Sequence, residues 1–188
     1  MRPFSIPNFF SMIRILLIPF FFLSMYYYLI GMEMMLWLAR ITLVIIVISD
    51  ILDGYLARRL QETSTFGSVL DPVADKLFVT ASFVLLTVFD KISEWLTITV
   101  VAKDLLVIIG WLLLAMLYQK VGVNPSLLGK AATALQFLTV IAIVILPAGF
   151  NSLWLEFITG TVTIAALFLY AYQTLQFVGG LNGKAETD

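Results

Sequence analysis

Apolar runs dominate this chain, and polar residues are confined to short clusters between them. Several runs approach or exceed the ~20 residues that carry a helix across a bilayer. The pattern predicts spans over roughly 9–30, 33–60, 67–89, 94–118, 126–148 and 152–177. Gly31 separates the first from the second, just beyond Tyr26-Tyr27-Tyr28, an aromatic group that suits a membrane–water boundary. Asp90-Lys91 closes the third, and Gln119 to Pro125 forms the loop before the fifth. The second run is longer than a ~30 Å hydrocarbon core requires, so it is expected to tilt or protrude, with Arg58 and Arg59 at its protruding end. Residues 1–8 read as a short interfacial segment, and Asn182 to Asp188 as a mobile polar tail. Arg14, about one turn into the first span, is expected to snorkel back to the headgroups.

The predicted fold is therefore all-α: a polytopic membrane protein with six transmembrane helices behind a short N-terminal interfacial segment, forming one domain over 1–188. Composition supports it, because 61% of the 188 residues are hydrophobic and 12% charged. A soluble domain of that size could not hide so much apolar surface. The first run is long and lacks a small-residue cleavage site, which argues against a signal peptide. Six spans put both termini on one side. Arg2, Arg14, Arg58, Arg59, Lys120 and Lys184 fall on that side, whereas the opposite loops offer Lys91 with Asp90, Glu33, Glu94 and Glu156. The positive-inside rule then places both termini towards the cytoplasm.

Two residue types are missing. Without Cys there is no thiolate catalysis, disulfide or zinc–sulfur site, and without His the commonest general base is gone. Proton transfer must fall to Asp, Glu, Lys or Tyr.

Against that background the stretch from Asp50 to Asp75 stands out. Asp50, Asp53, Gly54 and Ala57 have the spacing of one helix face, and Asp71 and Asp75 share a face of the next helix. A polar, Gly-containing connection from Arg59 to Gly67 lets the two helices turn back on each other. Four carboxylates so placed stay ionised only if cations hold them together, and an oxygen-only set suits magnesium, manganese or calcium. An ordinary alternative is a set of salt bridges with Arg58, Lys76 and Lys103, but the acids outnumber the nearby bases. Gly54 and Ala57 also have a packing explanation, since small residues let membrane helices approach closely. Two ions so held would bridge a phosphate or pyrophosphate, with one carboxylate as the base for a hydroxyl nucleophile. Asp75, the last of the series, is the choice for that base. Lys76, Lys103 and Lys130 are then available for an anionic acceptor.

The spacing D-x2-D-G-x2-A-R-x8-G-x3-D-x3-D is met at every position from Asp50 through Arg58 and Gly67 to Asp75, and it resembles the signature of the CDP-alcohol phosphatidyltransferases. Ile6-Pro7-Asn8-Phe9-Phe10-Ser11-Met12-Ile13-Arg14 is similar to that family's entry sequence. The resemblance implies that Asp50, Asp53, Asp71 and Asp75 bind two divalent cations, magnesium or manganese. It implies that Asn8, Asp50, Gly54, Ala57, Arg58 and Gly67 hold the CDP part of CDP-diacylglycerol. Asp75 would activate the acceptor alcohol, and the products would be CMP and a phospholipid. It further implies a bacterial inner-membrane enzyme and a homodimer, while the positive-inside rule puts the carboxylate cluster, like both termini, towards the cytoplasm.

The acceptor is read from finer resemblances. Pro7-Asn8, Leu70-Asp71-Pro72-Val73-Ala74-Asp75-Lys76 and Gly129-Lys130 with Thr133 are similar to bacterial phosphatidylglycerophosphate synthases, which use glycerol 3-phosphate. Those usually carry A-R-E, a further Arg and G-K-x-K-T where this chain has Ala102-Lys103-Asp104, Trp111 and Ala132. The fourth and fifth spans also look like cardiolipin synthases of the same superfamily, which use phosphatidylglycerol. Glycerol 3-phosphate is the preferred reading. A transporter would also place acids in its spans, but it favours inverted repeats and broken helices, which this sequence does not display.

Overall fold

The computed structural model describes residues 6–60, 67–118, 126–147 and 150–185, with side chains placed over 13–49, 51–52, 76–110, 116, 126–147 and 150–176. It is all-α: α1 Ile6–Leu29, α2 Met35–Leu60, α3 Gly67–Val88, α4 Glu94–Tyr118, α5 Leu127–Ile145 and α6 Leu153–Ala185. These bounds follow the predicted runs closely. Two readings at the ends change. Helix α1 already begins at Ile6, so Asn8 lies in its first turn, not in a separate segment. Helix α6 continues through Ala185, so most of the supposed tail is regular helix.

Local chemistry explains where the helices stop. After α1 the Gly31 N–H donates to the Tyr28 carbonyl and the Met32 N–H to that of Tyr27, with Gly31 at φ +110°. That is a Schellman closure, and only glycine adopts such a φ without strain. The same closure ends α3, where Asp90 N–H donates to Thr87 and Lys91 N–H to Leu86. Asp90 takes the left-handed position there at φ 57°. At the start of α5, the Ser126 hydroxyl accepts from the Gly129 N–H at 3.0 Å. Pro19 lies inside α1, so the Ile15 carbonyl loses its helical donor.

The apolar core joins Phe21 and Met25 of α1, Leu43 and Ile46 of α2, and Phe78 and Phe83 of α3, and continues into Leu96, Val100, Val140 and Val144. Helix α1 packs on α2 and α3, α4 on α3 and α6, and α5 on α2, α3 and α6. Two polar ties fix one end of the bundle. Arg40, near the start of α2, donates through Nε to the Val144 carbonyl at 2.9 Å, at the end of α5. Glu156, in the first turn of α6, accepts from the Ser93 N–H at 3.0 Å and so caps the start of α4. The turns at 30–34 and 89–93, with residues 146–147 and 150–152, therefore gather at that end.

Polarity runs opposite to that of a soluble protein. Lys103, Asp104, Gln136, Glu156 and Thr163 are buried, whereas Phe20, Trp37, Ile98, Phe157 and Phe168 are well exposed. Among the described residues, Leu127–Ile145 and Leu153–Gln176 are each long and apolar enough to cross a membrane, and Ile13–Leu29, Met35–Ser49 and Lys76–Val88 are shorter apolar stretches. Arg14 departs from expectation. It is only 3% exposed, enclosed by protein instead of reaching for headgroups.

Candidate active site

Helices α3 to α6 share a buried polar layer. Lys103 and Asp104 are successive residues of α4, and the Lys103 Nζ lies 3.0 Å from Asp104 Oδ1. Lys76, on α3, reaches the same oxygen at 3.7 Å. That oxygen accepts no hydrogen bond of good geometry from either lysine, so these contacts are ion pairs first. From the other side Lys103 Nζ donates to Gln136 Oε1 on α5 at 3.4 Å, and Gln136 Nε2 donates to Thr163 Oγ1 on α6 at 3.0 Å. One turn along, Thr139 and Thr159 share a 2.8 Å hydrogen bond between α5 and α6. Thr87 and Thr97 do the same between α3 and α4 at 2.6 Å. Interhelical hydrogen bonds of this kind are the polar glue of membrane bundles.

The lysines expected at the acceptor site are not equivalent. Lys76 and Lys103 converge on Asp104. Lys130 lies on the exposed first turn of α5, about 9 Å along the helix from Gln136. Lys103 is 5% exposed, whereas the Lys76 side chain retains 36% of its exposure. Lys76 directly follows Asp75 in α3, so this layer borders the carboxylate signature.

The signature is seen through its backbone. Asp50, Asp53, Gly54, Ala57 and Arg58 fall within the unbroken α2, and Gly67, Asp71 and Asp75 within α3. Their side chains, and those of Asn8 and Trp111, lie outside the described set, as do residues 61–66 and 119–125. Helical rise puts the four acids about 6–15 Å from the ends where α2 stops and α3 starts. Among the described residues, which do not include the side chains of the four acids, no three of His, Cys, Asp or Glu cluster to hold a metal. Their donor chemistry fits hard divalent cations, being oxygen-only and carried on two continuous helices at spacings of three and four.

A helical bundle with an apolar exterior and charges in its interior has the character of a polytopic membrane protein. Residues 4–172 match the model of the CDP-alcohol phosphatidyltransferase family, and the chain belongs to that family. Its members are polytopic membrane proteins, metal-dependent transferases of phospholipid biosynthesis acting with CDP-diacylglycerol. The chain is similar to the CDP-diacylglycerol–glycerol-3-phosphate 3-phosphatidyltransferase of Pectobacterium atrosepticum, 31% identical over 174 residues, covering 91% of this chain and 89% of that one. The enzyme of the same name from Salmonella typhimurium is 30% identical over 183 residues, 96% of each chain. That of Escherichia coli is 29% identical over 178 residues, 93% of each. The transporter reading falls with the family assignment.

Sequence reasoning missed several buried polar groups. Arg14 was assigned to headgroups, Glu156 to a loop, and Arg40, Gln136 and Thr163 were not singled out. A signal existed for some. Gln136-Thr139 and Thr159-Thr163 repeat polar side chains every three or four residues inside apolar helices, which marks an inward-facing seam.

Proposed function

We propose that this protein transfers the phosphatidyl group of CDP-diacylglycerol to glycerol 3-phosphate, giving phosphatidylglycerophosphate and CMP. The observation that carries this reading is the match over more than nine-tenths of the chain to relatives named for that reaction. In it, Asp75 takes the proton from the primary hydroxyl of glycerol 3-phosphate. The hydroxyl oxygen then bonds to the phosphatidyl phosphorus, the bond from that phosphorus to the bridging oxygen breaks, and CMP leaves. Asp50, Asp53, Asp71 and Asp75 would hold two divalent cations, which when bound neutralise the pyrophosphate and polarise the phosphorus under attack. Asn8, Gly54, Ala57, Arg58 and Gly67, with Asp50, would hold the CDP moiety, the small residues leaving room for it. Six spans, with both termini and the site at the cytoplasmic face of the inner membrane, and a homodimeric assembly complete the proposal.

One observation favours phosphatidylglycerol as acceptor instead, which would give cardiolipin. Ala132 is fully buried where phosphatidylglycerophosphate synthases carry a lysine, and Trp111 stands where they carry a further arginine. That leaves less positive charge for a phosphate dianion. Purified protein supplied with CDP-diacylglycerol, magnesium and either acceptor separates the two by lipid mass spectrometry. Phosphatidylglycerophosphate from glycerol 3-phosphate supports the proposal, and cardiolipin alone overturns it.

A further inference from the structure

The three ionised groups of the buried layer invite a division of labour. Lys103 has three N–H donors and is only 5% exposed, and a buried ammonium is tolerable only when paired. It is paired twice, to Asp104 at 3.0 Å and to the Gln136 amide oxygen at 3.4 Å. Thr163 fixes that amide by accepting its N–H at 3.0 Å, which turns the oxygen towards Lys103. Lys103 is thus committed to protein partners on α4 and α5. Lys76 differs in each respect. Its side chain is 36% exposed, and its one described partner is the shared Asp104 oxygen at 3.7 Å, beyond hydrogen-bond range. Its donors remain available, one residue along α3 from Asp75. With one carboxylate between two ammoniums, the layer carries a single net positive charge among the described residues.

We infer that Lys76 is the residue that contacts the acceptor's phosphate, and that Lys103, held by Gln136 and Thr163, is the buried counter-charge of Asp104 and makes no acceptor contact. The inference rests on the proposed use of an anionic acceptor, and it assigns different consequences to two lysines that the sequence presents as alike.

The test compares Lys76→Met, Lys76→Arg, Lys103→Met and the double variant Lys103→Met/Asp104→Asn, each followed by steady-state kinetics and thermal unfolding in detergent. Lys76→Met raises KM for glycerol 3-phosphate by about tenfold or more, with KM for CDP-diacylglycerol within about twofold, and Lys76→Arg recovers most of the loss. Lys103→Met lowers the unfolding temperature, because Asp104 loses its nearer counter-ion. Adding Asp104→Asn restores that temperature and brings KM for glycerol 3-phosphate back to within about threefold of the parent. A double variant that is stable but keeps a tenfold higher acceptor KM overturns the inference, since Lys103 would then be needed for binding. An unchanged acceptor KM in Lys76→Met overturns it equally. The product made by the parent protein tests the proposed acceptor separately. If that product is cardiolipin, the same KM criteria apply to phosphatidylglycerol, while the recovery of thermal stability depends on no acceptor at all.

Discussion

A charge inside an apolar bundle must be held by named partners, and Glu156 shows how. Its Oε1 accepts from the Ser152 hydroxyl at 2.6 Å and its Oε2 from the Ser93 N–H at 3.0 Å, at 2% exposure. One carboxylate thereby steadies the starts of α4 and α6. Glu156→Ala leaves the Ser93 N–H and the Ser152 hydroxyl without their acceptor, so it should destabilise the fold by about 1–3 kcal/mol, read by thermal unfolding in detergent. Asp75→Asn has a different expected signature. As the proposed general base it should lose about 10²- to 10⁴-fold in kcat with an unchanged unfolding temperature. Near-parental turnover would move the base elsewhere. The signature aspartates were legible in the sequence because eight residues at fixed spacing are hard to meet by chance. The roles of Arg14 and Glu156 were not, since burial depends on which neighbours a helix meets and not on its own composition.

Helix contacts set the next scale. Along α6, Thr159, Gly160, Thr163 and Ala166 follow Glu156 at helical spacing and are all buried, a seam of small and hydroxylated residues against α4 and α5. Gly160 is tightest, for a methyl group there would overlap the Trp95 ring of α4. Gly160→Ala should therefore cost about 1–3 kcal/mol, and Trp95→Leu in the same chain should recover most of it. A double-mutant cycle on unfolding temperature checks the coupling. At Gly110 an added methyl group would meet the Tyr170 hydroxyl at 2.7 Å, the group that donates to the Val107 carbonyl at 3.1 Å. The existence and bounds of the helices were legible because length and apolarity decide them, and Gly31, Asp90-Lys91 and Ser126 punctuate them. The pairing of α4 with α6 and of α2 with α5 was not. Hydropathy records how far each helix extends, but not which face it turns to a partner.

For the molecule as a whole, the chain's charges agree with the proposed orientation once the structure has revised their count. Arg14 is enclosed, and Arg40 belongs to the end where the turns at 30–34 and 89–93 gather. By chain order, Arg2, Arg58, Arg59, Lys120 and Lys184 still leave the excess on the side proposed as cytoplasmic. Because the chain lacks cysteine, single substitutions report sidedness cleanly. In intact cells a membrane-impermeant maleimide should label Lys91→Cys and spare Lys184→Cys until the membrane is opened. The reverse pattern would invert the topology and place the reaction outside the cell.

The central claim is metal-dependent phosphatidyl transfer to a small phosphorylated alcohol, and CMP release from CDP-diacylglycerol by the purified protein tests it most directly. The account predicts release that requires glycerol 3-phosphate and magnesium together, stops on chelation and returns when magnesium is restored. Release that ignores the chelator, or continues at the same rate without the acceptor, would contradict it. So would a folded protein that releases no CMP under any of these conditions.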